Sequence, residues 1–254
     1  MDRRDFLTAG KTKKATPVNP IAFASPTRTL SGINPYTGPW TVNEVIHLLK
    51  RTMFGAKKAD VDFFAAMSMN QAVDALLNVP LAQFTPAPPI KNYANSVDPA
   101  DPDNAIAAGQ TWVNINTNDG SVDSNRTNAY RNWWIGQMVN QNRNILEKMT
   151  LFWHNHFATE TDSIGRAIWC YQNNTVLRKN ALGNFKQFVK EMTTNTGMLR
   201  YQNGYLNTNT APDENYGREL QELFVVGKGA DNATQGYAEA DVKAAAKVLT
   251  GWPT

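Results

Sequence analysis

Read for the spacing of apolar and polar positions, the chain falls into short amphipathic helices separated by polar breaks. Thr41 followed by Glu44 is a capping box, and Val42, Val45, Ile46, Leu49 and Met53 then recur at helical intervals up to Phe54-Gly55. A second helical pattern starts at Lys58 or Asp60 and carries Val61, Phe64, Ala65, Val73, Leu76 and Leu77, with a break at Met67-Ser-Met-Asn70. Between residues 80 and 126 the pattern changes. Pro86, Pro88, Pro89, Pro99 and Pro102 forbid a continuous helix, and Trp112-Val-Asn-Ile-Asn116 alternates like one isolated strand. A connection this long in a compact chain reads as a lid, a binding loop or a flexible insertion. Helical spacing returns from Asn128, through Trp133, Trp134, Met138, Ile145, Met149, Phe152 and His156, with an interruption at residues 140–144. Further helices are expected over 164–179, over 182–192, from Ala211-Pro212 with Pro212 as first helical residue and Gly227 as stop, and over 239–249. No internal repeat is present. The expectation is an all-α, multi-helix orthogonal domain over residues 39–254, with one long polar insertion at 80–126.

Composition narrows this picture. With 254 residues, 42% of them apolar, the chain can bury an ample core, and no apolar run approaches the roughly 18 residues of a membrane span. The net charge of +3 is spread out, and Lys11, Lys13 and Lys14 form the one basic cluster, so no nucleic-acid partner is expected. The single cysteine, Cys170, permits no internal disulfide and reads as a small buried hydrophobe between Trp169 and Tyr171. Asparagine, at 28 residues, favours caps, turns and polar surface.

Residues 1–38 read as a flexible, mostly disordered leader. Asp2-Arg-Arg-Asp-Phe-Leu7 resembles a twin-arginine export motif and Ala22-Phe-Ala24 a small-residue cleavage site. The stretch between them is charged and broken by Pro17 and Pro20, so the apolar region of an export signal is missing. Cytoplasmic residence and twin-arginine export both stay open.

The candidate chemistry centres on Glu147-Lys-Met-Thr-Leu-Phe-Trp-His-Asn-His-Phe157, where His154 and His156 stand among aromatic rings. In a helix two residues that are two apart point roughly 200° from one another, so joint ligation of one metal needs a kink. His156 falls on the apolar stripe. It reads as a hydrogen-bonded core imidazole, His154 as a surface or interhelical hydrogen bonder, with metal ligation and acid–base work as the sharper readings. Glu219 and Glu222, three apart, share a helical face and suit either a cation or an ordinary flank salt-bridged through Arg218. Glu214 serves the helix dipole. A metal site is therefore drawn from His154, His156, Glu219 and Glu222, with Asn155, Arg218 and Glu214 around it and a divalent ion such as zinc as cofactor. Residues 114–123 only faintly resemble a calcium loop, and Glu44-x-x-His47 lacks the second copy a di-iron bundle needs. Serine-hydrolase elbows, Walker loops, dinucleotide turns and Cys-x-x-Cys pairs are all missing. Trp112, Trp133, Trp134 and Trp153 suit a sugar-stacking cleft or a plain core.

Six phrases together carry a family resemblance. They are Leu48-Leu-Lys-Arg-Thr-Met-Phe-Gly55, the Glu147–Phe157 stretch, Asn180-Ala-Leu-Gly-Asn-Phe185, Met198-Leu-Arg-Tyr201, Glu214-Asn-Tyr-Gly-Arg-Glu-Leu-Gln-Glu-Leu-Phe224, and Leu249-Thr-Gly-Trp252. In this order they resemble the bacterial domain-of-unknown-function 1800 family, from about Thr41 to the end. That family has no established activity. The resemblance implies a helix-rich fold, frequent export signals, and a domain about twice this length continuing with further histidine- and aspartate-bearing motifs. The chain is accordingly read as the N-terminal portion of such a domain, in which a site shared between halves is incomplete. Asp213, Gln202 and Val225-Val226 depart from the residues usual there. Two functions are expected: a binding or scaffold module at the cell envelope with a protein or polysaccharide partner, or a metal-assisted hydrolase-like enzyme using the His/Glu set.

Overall fold

The computed structural model describes residues 35–117, 119–227 and 236–252, so the twin-arginine-like motif and the cleavage-like site lie outside it. A compact unit begins at Pro39. Its eleven α-helices, among the described residues, are α1 (Val42–Thr52), α2 (Lys58–Ala65), α3 (Met69–Leu77), α4 (Gly120–Val139), α5 (Leu146–His156), α6 (Thr161–Ile164), α7 (Ala167–Asn180), α8 (Phe185–Thr193), α9 (Thr196–Tyr201), α10 (Glu214–Glu219) and α11 (Glu239–Val248). No strand forms among those residues. Two isolated bridges, Ile90 with Thr111 and Thr208 with Ala211, are the whole of the β pairing there, so the strand expected over 112–116 reduces to one bridged residue beside it.

The first three helices pack on one another. Thr41 and Glu44 close the capping box that starts α1, and Ser68 with Gln71 forms a second box that starts α3. That box is the cause of the break at Met67-Ser68: the serine side chain takes a backbone N–H and begins a new helix in a new direction. Val45, Leu49, Met53, Phe64, Ala72 and Leu76 make the cluster between the three helices, and Trp40 lies over it with its indole N–H on the Met67 carbonyl at 2.9 Å.

The remaining helices surround α7. One apolar cluster, with Ile106, Trp112, Tyr130 and Cys170, lies towards α4, and another, with Phe157, Leu177, Phe188, Tyr216 and Phe224, lies towards α5, α8 and α10. A helix covered on most sides must bury its polar residues too, and each then needs a partner. Asn173 donates to Asn195 Oδ1 at 3.1 Å, Asn180 donates to the Val176 carbonyl and Glu191, and Arg178 binds Glu147.

The connection expected as a polar insertion is folded around an ionic core. Asp103 and Arg126 are both almost wholly buried, and the guanidinium meets the carboxylate at 2.5–3.2 Å while its Nη1 donates to the Ile115 carbonyl at 2.6 Å. Tyr93 donates its hydroxyl to the same carboxylate, and burial, reinforced by that bond, pushes the phenol's pKa up. Lys91, 2% exposed, donates to Asn95 and to the carbonyls of Asp103 and Ile106. Trp112 is fully buried beneath Arg126. Helix α4 begins at Gly120, eight residues before the apolar spacing indicates, because Asp119 caps it by accepting from Ser121 and Val122 N–H groups.

At the other end of the chain, Asp213 is the N-cap of α10, so Pro212 precedes the helix instead of opening it. Beyond Glu219 the helix widens into a π-helical turn, Leu220–Val225, and stops at Gly227 with φ +82°. Gly217 lets α11 approach closely: a Cβ there would stand 3.1 Å from the Ala246 nitrogen and 3.2 Å from the Ala245 methyl. Buried Asn207 ties the two helices together, accepting from Asp213 N–H and donating to the Ala246 carbonyl at 2.7 Å.

Candidate binding groove

The two histidines sit on different sides of α5, as the angular spacing requires. His154 meets the Trp134 ring edge-on at 4.9 Å, and burial holds its imidazole below the ordinary histidine pKa. His156 packs among Trp153, Phe157, Phe185 and Phe224, and its Nε2 lies 2.8 Å from the Phe224 carbonyl. It is thus a half-buried imidazole packed on the aromatic cluster, with its ring nitrogen on one carbonyl of the π-helical turn. Asn155, between them, is exposed.

Of the acidic residues, Glu222 and Glu214 have separate engagements. Glu222 accepts the Tyr237 hydroxyl at 3.0 Å. Arg218 does not pair with Glu222; it binds both oxygens of Glu239 at 2.7 and 2.8 Å and reaches Glu214 at 3.3 Å. Those carboxylates raise the guanidinium's pKa, and the guanidinium in turn lowers that of Glu239. Glu214 therefore contributes to an ion pair, besides standing in the first turn of α10. Among the described residues no three His, Cys, Asp or Glu side chains are placed to hold a metal ion. His156 does meet the π-helical turn that carries Glu222, but through a backbone carbonyl. Among the described residues these side chains therefore do not converge on one point where a divalent ion could sit.

A different set of residues converges elsewhere. The turn between α4 and α5, Asn140-Gln-Asn-Arg-Asn144, faces the segment after α3. Gln83, Gln137, Asn140, Gln141, Asn142 and Asn144 wall a chamber of about 190 Å³. Four of them, Gln83, Gln141, Asn142 and Asn144, also line an open depression of about 460 Å³ that extends to Asp60 and Pro80. Asn144 donates to Gln83 Oε1 at 2.6 Å, and Ile145 N–H donates to the Leu76 carbonyl at 3.0 Å, so the turn is held against the α3 end.

Glu147 lies at the floor of the chamber. It is held by Arg178 from α7, whose Nη2 is 2.9 Å from Oε2 and whose Nη1 contacts Oε1. On the far side Arg178 lines a slot of about 40 Å³ with Phe84, Trp133 and Tyr171, and Pro86 borders both spaces. Trp133 is fixed by donating its indole N–H to the Ala87 carbonyl at 2.7 Å. Two buried atoms on these walls have no hydrogen-bond partner, Gln141 Oε1 and Arg178 Nε.

Of the tryptophans considered for a cleft, only Trp133 lines one of these spaces, whereas Trp112 is sealed in the core and Trp153 donates to the Ala181 carbonyl. In the sequence the Asn140–Asn144 run reads as a mere interruption. Its signal was four amide side chains in five residues at a helix junction.

Taken together these features define an all-α protein with an amide-walled surface groove, and no helix of the described residues is long and apolar enough to cross a membrane. The chain belongs to the family described as Protein of unknown function (DUF1800), whose model matches residues 47–254. Neither a curated protein nor a solved structure matches it.

Proposed function

We propose that this protein is a binding module and that the amide-walled groove at the α4–α5 turn receives its ligand. The observation that carries this reading is the convergence of six amide side chains, from the 81–84 turn, α4 and the α4–α5 turn, above the buried Glu147–Arg178 pair. Polar side chains turned towards a shared hollow are an arrangement a binding site uses, because they offer a ligand several hydrogen bonds in a fixed geometry. At about 190 Å³ the chamber alone is smaller than the roughly 300–1,000 Å³ usual for a small-molecule site. Its shared walls with the open depression suit an elongated ligand of which one part enters the chamber. A protein or polysaccharide partner at the cell envelope fits this reading, the envelope resting on the twin-arginine-like leader. The hydrolase-like alternative rests on His154, His156, Glu219 and Glu222, for which the geometry offers no assembled cluster.

The test is a thermal-shift screen of a chemically mixed library against the full chain and against Gln141→Trp, which fills the chamber from an incompletely buried position. Ligands are expected to raise the melting temperature of the first and not of the second, with the unliganded melting temperatures alike. Hits that stabilise both proteins equally overturn the groove as the site. Near-stoichiometric metal in the purified protein, lost in His154→Ala with folding retained, would instead restore the hydrolase reading.

A further inference from the structure

Resting on the groove as the binding site, we infer that its ligand is a neutral, polyhydroxylated chain: an oligosaccharide segment. A side-chain amide presents a donor and an acceptor side by side, as a sugar hydroxyl does, so Gln137, Asn140, Gln141 and Asn142, with Gln83 and Asn144 held to one another behind them, can both give to and accept from successive hydroxyls. An anionic ligand calls for uncompensated guanidinium or ammonium groups, and a cationic one for uncompensated carboxylates. The charges on these walls are paired with one another. Glu147 is bound by Arg178, and Asp60 accepts from Arg143 Nε at 2.8 Å. No net charge is left to attract an ion.

Phe84, Trp133 and Tyr171 line the neighbouring slot, which at about 40 Å³ is too small to admit a sugar ring, so the chamber and the open depression are where the chain lies. A bound peptide would ask for a free strand edge or a row of apolar side-chain pockets. The chamber has amide walls, and no strand lies among the described residues.

The experiment is isothermal titration of the full chain with cellohexaose, chitohexaose and maltohexaose. A tri-galacturonate and a neutral hexapeptide serve as probes of the other classes. Each is repeated on Gln141→Ala/Asn142→Ala, whose melting temperature is measured alongside. At least one neutral hexasaccharide is expected to bind, and its affinity to fall about tenfold or more in the variant at an unchanged melting temperature, as befits lost hydrogen bonds to hydroxyls. If the hexasaccharides give no heat while the galacturonate or the peptide binds and is weakened by the variant, the sugar assignment falls and the groove stands. If no probe binds, or if binding is the same in both proteins, the groove reading falls with it. Should the double variant melt early, Asn142→Ser, which keeps a polar side chain at an exposed position, takes its place with the same criteria.

Discussion

Glu147 on α5 and Arg178 on α7 join through two parallel contacts, the carboxylate 9% and the guanidinium side chain 2% exposed. An ion pair so far out of water holds only while both members are present, because a lone buried charge has nothing to offset its lost hydration. Arg178→Met is expected to cost about 3–5 kcal/mol in urea unfolding, and Glu147→Met/Arg178→Met to recover most of it. A loss below about 1 kcal/mol for Arg178→Met would mean that the carboxylate finds another partner or reaches solvent.

Gly217 sets the separation of α10 and α11. Gly217→Leu forces its side chain into the Ala245-Ala246 backbone and is expected to destabilise by about 1–3 kcal/mol, with faster amide exchange in α11 than in α1. Equal exchange in both helices would show that α11 accommodates the change.

His154 makes stability depend on pH in a definite direction. Its folded-state pKa lies below its ordinary value of 6.5, because burial disfavours the charged ring. The unfolded chain therefore binds the proton more readily, so the penalty is nil above pH 6.5 and grows as pH falls through the folded pKa. In His154→Phe, which keeps an edge-on ring against Trp134, the decline in melting temperature from pH 7.5 to 5 is expected to be shallower. An unchanged slope would locate the titrating group elsewhere.

Lys91 secures the connection between α3 and α4 by filling two carbonyls and Asn95. Lys91→Met leaves those acceptors unmet inside the protein and is expected to cost about 1–3 kcal/mol or more. Trypsin should leave the wild-type segment intact after Arg126, and cut there early in the variant. Early cutting of the wild type would contradict the ionic core.

Most helices were legible from the apolar periodicity, with or without a cap. Thr41 with Glu44 marked α1 correctly, and the apolar stripe marked α5, α8 and α11 to within a few residues. The start of α4 was missed because Asp119, not an apolar stripe, determines it, and the helix's first turns are polar. The π-helical turn is invisible to spacing, since Leu220, Leu223 and Phe224 fit an ordinary helix as well. The angular argument separated His154 from His156. What it could not supply was the contact of Arg218 with Glu239, twenty-one residues on, across α10 and α11. The groove escaped for a related reason. Gln83, Gln137 and Asn144 are unremarkable singly, and only the fold brings them to one hollow.

The three-helix cluster of α1–α3 shares no buried apolar residue with the two clusters around α7. The seam between them is crossed by polar and cation–ring contacts: Arg143 to Asp60 and over the Phe63 ring, Lys57 to the Val139 carbonyl, and Lys148 over Phe54. The depression that reaches Asp60 runs along that same seam. An occupant lodged there touches Asp60 on one side and the α4–α5 turn on the other, so its arrival should register first as slowed amide exchange along that seam.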